Sequence, residues 1–125
     1  MWDPEQYHRY SDERARPFHD LLARVGATAP ARVVDLGCGT GELTALLAGR
    51  WPVAVVEGVD SSPAMLARAR PSDRLRFTVG DVGRWRPAEP VDVVVCSAAL
   101  QWVDNHEDVL RRMVDGLAAG GWLAV

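Results

Sequence analysis

Residues 33–44 read VVDLGCGTGELT, and this stretch decides the fold. It begins with β-branched residues typical of a strand, continues through three glycines spaced by one residue, and ends in a helical pattern. The glycines are Gly37, Gly39 and Gly41. A backbone without side chains lets ligand atoms approach closely, and the N–H groups at a helix N-terminus point outward. The stretch therefore predicts a strand, a glycine turn and a helix, with a ligand at the turn.

Strand and helix patterns alternate along the rest of the chain. Apolar or alternating segments predict strands at 32–36, 53–60, 74–81 and 91–100, and a fifth strand that begins within GGWLAV at 120–125. Helical spacing predicts helices over 17–26, 42–50 and 107–117, and one more that opens at Pro63. This alternation predicts a single α/β domain over residues 1–125, with a doubly wound, mostly parallel, Rossmann-like sheet. In such sheets ligands bind beyond the carboxyl ends of the strands.

The same patterns predict helix ends and buried faces. Pro17 suits the first position of its helix, and Gly26 suits the residue that ends it. Ser61 or Ser62 can cap the helix that opens at Pro63. The apolar faces that we expect to be buried carry Leu43, Leu46 and Leu47 in the second helix and Leu75, Phe77 and Val79 in the third strand.

Composition and charge argue against several functions. The net charge of -3 and the lack of clustered cations give no footprint for nucleic acid. No apolar run reaches the roughly 18 residues that span a bilayer, and the N-terminus lacks the apolar centre of a signal peptide. We therefore expect a cytoplasmic protein without a membrane partner. Cys38 and Cys96 are too few for a disulfide framework or a zinc site, so we expect free thiols and no metal.

Two aspartates follow predicted strands. Asp60 ends the strand after the glycines, where a carboxylate can accept the hydroxyl protons of a ribose. Asp81 ends the next strand, where it can accept from the amino group of an adenine while Val82 packs against the ring. Each aspartate also has a plainer interpretation, as a helix cap or a turn residue. Together with the glycines they predict a ligand of the adenosine type.

Two cofactors share this geometry. A dinucleotide fold prefers G-x-G-x-x-G and binds a pyrophosphate at the helix N-terminus. Here the loop is G-x-G-x-G, with Asp35 two residues before the first glycine and Glu42 directly after the last. Acidic groups repel a pyrophosphate, whereas they can accept hydrogen bonds from a cationic amino acid. The charges therefore favour S-adenosylmethionine (SAM), which carries an ammonium and a sulfonium, over NAD.

Five segments in order now support a resemblance that covers about residues 15–125: VVDLGCGTGELT, VEGVDSSPAML, VGDV, DVVVCSAALQWV and LAAGGWLAV. They resemble the successive motifs of class I SAM-dependent methyltransferases. More narrowly, WDPEQYHRY, RARPFHDLLARV and SAALQWV resemble the trans-aconitate methyltransferase family, which methyl-esterifies small tricarboxylates. The resemblance implies SAM as the cofactor and a small carboxylate as the substrate.

The resemblance also implies a role for particular residues. Residues 98–102 match the segment that lines the cleft for cofactor and substrate, and residues 1–16 match a lid. An anionic substrate needs cations, for which Arg14 and Arg16 are candidates, although most exposed arginines are only solvated. Trp102 is a candidate for contact with the sulfonium or for the wall of the cleft, through its aromatic face. No residue is expected to be catalytic with certainty. The residues expected to bind the cofactor are Asp35, Gly37, Gly39, Gly41, Asp60, Ser61, Asp81, Val82 and Ala98.

Methyl transfer from a sulfonium to an ionised carboxylate needs proximity and alignment but no general base. We therefore expect an enzyme that forms a methyl ester on a small carboxylic acid such as trans-aconitate. Family members run well past this length, so part of the substrate site is expected to be missing after the start of the fifth strand. One alternative is a non-catalytic SAM-binding or nucleotide-binding fragment, or an interaction module, that lacks a complete substrate site. Another is an NAD-binding oxidoreductase domain. The oligomeric state stays open.

Overall fold

The computed structural model describes residues 15–97 and 103–125. Strands and helices alternate along this part of the chain, as the sequence predicted. The first helix, α1, covers residues 15–23. The elements that follow are β1 (Arg32–Leu36), α2 (Glu42–Arg50), β2 (Val55–Asp60), α3 (Pro63–Leu66), β3 (Leu75–Val79), a 3-10 turn (Val82–Arg84), β4 (Val91–Val95), α4 (His106–Asp115) and β5 (Leu117–Ala124).

The described strands form one parallel sheet in the order β3-β2-β1-β4-β5. The chain moves outward from β1 to β3 and then returns to place β4 on the other side of β1. Strand order therefore reverses between β1 and β4. In doubly wound sheets a crevice opens at this switch point, beyond the carboxyl ends of the strands. The predicted α/β fold is confirmed, and the switch point lies between β1, which the glycine loop follows, and β4.

Two apolar clusters cover the two faces of the sheet. Helices α1 and α2 pack on one face, where the buried side chains include Phe18, Leu22, Leu47, Val56 and Val93. Helix α4 packs on the other, where they include Val34, Leu36, Val94, Val109 and Met113. Valines of β1 and β4 point alternately into the two clusters, as expected for strands buried on both sides.

Some predicted faces and helix ends were wrong. Leu46 is 38% exposed, and the buried face of α2 is instead formed by Leu47 with Thr44. A buried threonine is tolerated there because its hydroxyl has a carboxylate partner. Val79 is 56% exposed because β3 is an edge strand that the helices cover incompletely. In α1, residues 15 and 16 are already helical before Pro17.

Other boundaries also moved. α1 gives way to a turn after residue 23, before Gly26, and α4 ends at Asp115, two residues earlier than predicted. β5 begins at Leu117, before the predicted GGWLAV segment, and Gly120 within it has φ of 76°. Its pairing with β4 shifts register between Val91 and Val93. An irregular strand of this kind lacks the alternation that reveals a strand in a sequence.

No helix in residues 15–97 or 103–125 is long and apolar enough to cross a membrane. Cys38 and Cys96 are both buried and form no disulfide with each other.

Candidate functional site

The glycine loop at residues 37–41 joins the carboxyl end of β1 to the start of α2. Gly37, Gly39 and Gly41 have φ values of 79°, 59° and 86°. Side chains with a Cβ rarely adopt this left-handed conformation, and every described non-glycine residue avoids it. All three glycines are therefore required by the path of the backbone, and Gly41 also serves as the N-cap of α2.

The N–H groups of this loop are mostly bonded within the protein. Gly37 N and Cys38 N donate to the carbonyl of Val59 at 2.7 and 3.1 Å, and Gly41 N donates to Cys38 O at 3.1 Å. Gly39 N donates to the Asp60 carboxylate at 2.9 Å. These four N–H groups therefore hold the loop in its conformation and do not point outward to a ligand.

Asp60 ends β2 and holds the loop in place. Its Oδ2 accepts from Gly39 N, and its Oδ1 accepts from Ser62 N, both at 2.9 Å. Each carboxylate oxygen has two acceptor positions, so the group keeps capacity for further donors such as ribose hydroxyls. Ser62 is the residue that caps α3, through Met65 N, and Ser61 beside it is exposed.

Asp35 is only 2% exposed, and its Oδ2 accepts from the hydroxyl of Thr44 in α2 at 2.8 Å. It ties the strand before the loop to the helix after it. Glu42, at the start of α2, is exposed and accepts from the Thr40 hydroxyl. Asp35, Glu42 and Asp60 together give the loop an acidic surround.

Asp81 follows β3, next to the end of β2, because Gly80 N donates to Asp60 O at 2.9 Å. The Asp81 side chain is exposed and accepts from Gly83 N at 2.8 Å, which caps the 3-10 turn. Val82 is buried in the cluster on the α4 face. The plainer interpretation of Asp81 as a turn residue therefore holds in this structure, and its second carboxylate oxygen keeps capacity for a donor.

Cys38 lies within the loop and is only 6% exposed. Burial raises the pKa of its thiol from 9.0 to about 12, and the charges of Asp35 and Asp60 act in the same direction. Two hydrogen bonds, one of them with Thr44, act in the opposite direction but do not offset burial, so the thiol is neutral at pH 7.

We expect the free energy of unfolding to fall as pH rises from about 9 to 12 by up to ~1.4 kcal/mol per pH unit through Cys38 alone. The unfolded chain loses the thiol proton in this range, whereas the folded chain keeps it. Below pH 9 both states hold the proton, so stability there does not depend on this group. Urea unfolding of wild type and Cys38→Ala at pH 8, 9 and 10 measures the difference.

Few other groups titrate between pH 8 and 10, because the sequence contains no lysine. The difference between the two proteins removes the contributions of the tyrosines and of Cys96. Equal slopes of stability against pH in both proteins would contradict the raised pKa of Cys38.

Sequence reasoning missed two residues at this site. Gly58 in β2 lies beside Phe77 of β3 in the parallel register, and the Phe77 ring also lies against Gly41. A glycine inside a strand often marks a place where another group approaches closely, so Gly58 carried a signal. Nothing in the sequence indicated that the approaching group was Phe77.

Several predicted site residues have no described position. Arg14, Ala98 and Trp102 lie outside the described residues, as does the predicted lid up to residue 14. Residues 15 and 16, the end of that lid, belong to α1, where the Arg16 side chain is exposed. The structure does bring together the glycine loop, Asp35 and Asp60, with Asp81 at the end of the adjacent strand.

The fold and the loop define a Rossmann-like α/β domain with a candidate ligand site at the carboxyl ends of its central strands. Residues 33–121 match the family described as "Methyltransferase domain". This chain belongs to that family. The resemblance to SAM-dependent methyltransferases that the sequence motifs suggested is thereby confirmed.

Relatives and solved structures agree with this membership. Trans-aconitate 2-methyltransferase of Mycobacterium sp. (strain KMS) is 55% identical over all 125 residues of this chain, which correspond to 49% of the relative. A putative methyltransferase from Haloferax volcanii, solved with the Trm112 methyltransferase activator, matches with a TM-score of 0.84 and 26% identity over 95% of this chain and 55% of that chain.

A SAM-dependent methyltransferase from Thiobacillus denitrificans, solved with S-adenosyl-L-homocysteine, has a TM-score of 0.70 and 26% identity over 85% of this chain and 45% of that chain. The chain thus spans about half the length of the curated relatives that it matches. This share agrees with the expectation that family members are much longer.

Proposed function

We propose that this chain binds SAM at the glycine loop and serves in methyl transfer from SAM to a small carboxylic acid such as trans-aconitate. One observation carries the choice of cofactor: the carboxylates of Asp35, Glu42 and Asp60 surround the loop. We propose further that residues 1–125 form one SAM-binding domain whose first 16 residues act as a lid.

Electrostatics support SAM over a dinucleotide. A pyrophosphate near three carboxylates is repelled. The ammonium and the sulfonium of SAM are attracted to the same carboxylates. The carboxylates around the loop therefore favour SAM over NAD.

The remaining contacts that we propose follow the ends of the strands. The Asp60 carboxylate keeps acceptor capacity for the ribose hydroxyls after it has braced the loop. Asp81, one strand further, accepts from the adenine amino group with its free oxygen. Gly37, Gly39 and Gly41 leave room for the ligand, and Ser61, Val82 and Ala98 complete the proposed cofactor site.

When bound, SAM supplies a methyl group on an electrophilic sulfonium. The work of the chain is to hold that methyl group and the acceptor oxygen close, collinear and shielded from water. Because a carboxylic acid with a pKa near 4 is already ionised at pH 7, the chain needs no general base.

The proposed substrate rests on the relatives. Curated relatives 55% identical to this chain are named trans-aconitate 2-methyltransferase, and this chain covers about half their length. Arg14 and Arg16 are our candidates for contacts with substrate carboxylates, and Trp102 is our candidate for the wall of the cleft. If the substrate elements lie elsewhere in a longer protein, this chain alone binds SAM without turnover.

Isothermal titration calorimetry with SAM and with NAD tests the cofactor. We expect SAM to bind with a micromolar dissociation constant, about -8 kcal/mol in free energy, and NAD to show no measurable heat. A folded protein that binds NAD, or that binds neither compound, would contradict the proposal.

Methyl ester formation on trans-aconitate and related acids tests the substrate, with the full-length Mycobacterium relative as the positive control. Ester formation by this chain supports the whole proposal. Binding of SAM with no ester, under conditions where the control is active, leaves the binding module as the function of this chain.

A further inference from the structure

The ring of Phe77 lies against two glycines of the cofactor region. Gly58 and Phe77 are register partners on adjacent strands. A Cβ at Gly58 would lie 2.7 Å from Phe77 Cδ1 and 2.9 Å from Cε1. Carbon atoms do not approach this closely, so the ring edge occupies the space where any other residue at position 58 would place its side chain.

The same ring edge reaches the last glycine of the loop. A Cβ at Gly41 would lie 2.6 Å from Phe77 Cζ and 2.7 Å from Cε1. Gly41 is the N-cap of α2 and has φ of 86°. One face of its backbone is therefore supported by an aromatic ring that comes from the edge strand, 36 residues further along the chain.

Space alone explains the glycine at position 58. Its φ is not positive, unlike those of the three loop glycines, so its backbone conformation does not demand glycine. A Cβ there would also meet Cys38 Sγ at 2.8 Å. The missing side chain at position 58 thus leaves a space. The edge of the Phe77 ring, from β3, and the Cys38 thiol, from the glycine loop, both lie in that space.

We propose that Phe77 is a positioning residue for the cofactor loop: its ring fills the space above Gly58 and supports Gly41, and thereby holds the start of α2 in the conformation that binds SAM. The proposal rests on the proposed function only in taking SAM affinity as one readout. Its specific consequence is a coupling between the size of residue 77 and the glycine at position 58.

A double-mutant cycle measures this coupling. We expect Gly58→Ala to weaken SAM binding by about tenfold in the wild-type background and by only about twofold in the Phe77→Leu background, because leucine removes the ring edge that the new methyl group would meet. The contact with Cys38 Sγ is present in both backgrounds. Titration calorimetry is done at a temperature where near-UV circular dichroism shows each variant folded.

Two variants serve as controls. Gly49→Ala makes the same change in α2, where a Cβ meets nothing within 4 Å, and Val79→Ala alters an exposed side chain on the same strand as Phe77. We expect both to bind SAM as wild type does. Equal effects of Gly58→Ala in the two backgrounds would overturn the proposal and leave SAM binding itself intact.

A second measurement does not need the ligand. We expect Phe77→Leu to speed amide hydrogen exchange in peptides that contain residues 37–41 by about tenfold, because the loop loses its support, and Val79→Ala to leave it unchanged. If wild type fails to bind SAM, the proposed function falls, and this exchange still decides the role of Phe77. Unchanged exchange in Phe77→Leu would overturn it.

Discussion

Replacing Asp60 with alanine is expected to weaken SAM binding by at least about 100-fold, through the loss of charge-assisted hydrogen bonds to the ribose. The same change releases Gly39 N and Ser62 N, which the carboxylate holds at 2.9 Å. Part of the loss therefore comes from the loop, and part from the missing acceptor. Titration calorimetry at a temperature where the variant is folded measures the affinity.

Asp92 offers a matched control for this experiment. Its carboxylate also accepts from two backbone N–H groups, those of Ala31 and Arg32, at 2.9 and 3.0 Å. It lies near the amino end of β4, whereas the glycine loop follows the carboxyl end of β1. In this parallel sheet the two positions are at opposite ends of the strands. We expect Asp92→Ala to cost about as much stability as Asp60→Ala, roughly 1–3 kcal/mol, and to leave SAM affinity unchanged.

Comparison of Asp60→Ala with Asp92→Ala separates a role in SAM binding from a general loss of stability. Equal SAM affinity in the two variants would contradict the proposed role of Asp60. Should Asp60→Ala fail to fold, Asp60→Asn keeps the shape and one acceptor oxygen while it removes the charge. We expect that variant to fold and to bind SAM more weakly than wild type by about tenfold or more.

Gly41→Ala is expected to destabilise the protein by about 2–4 kcal/mol, because it combines a strained backbone with a steric clash. At φ of 86° an alanine is in the left-handed region, and its Cβ would lie 2.6 Å from the Phe77 ring. We expect measurable SAM binding to disappear as well, since the loop and the start of α2 must move to relieve the contact. Urea unfolding and calorimetry measure the two effects.

Gly49→Ala, inside α2, is the control for Gly41→Ala at the N-cap of the same helix. A Cβ at Gly49 meets nothing within 4 Å, and alanine favours a helix interior, so we expect stability to rise by about 0.5–1 kcal/mol. A Gly41→Ala variant as stable as wild type would show that the loop tolerates a side chain. It would also remove the steric reason for a glycine at that position.

Local sequence predicted the elements around the site well, for physical reasons that are visible in the chain. β1 and α2 have the predicted bounds, because β-branched residues, a glycine turn and a helical spacing follow one another without ambiguity. The burial of Leu46 and of Val79 was predicted wrongly. Burial depends on which elements cover a face, and the edge position of β3 is a property of the whole sheet.

By itself, the sequence determined that this chain forms an α/β sheet, that its glycines follow a strand, and that Asp60 ends the next one, because periodicity and turn chemistry act between near neighbours. Only the tertiary structure decided what those groups contact. Gly39 N meets a carboxylate 21 residues away, and Phe77 fills the space that Gly58 leaves. Both contacts arise from the register between parallel strands, which is set by the packing of the whole domain.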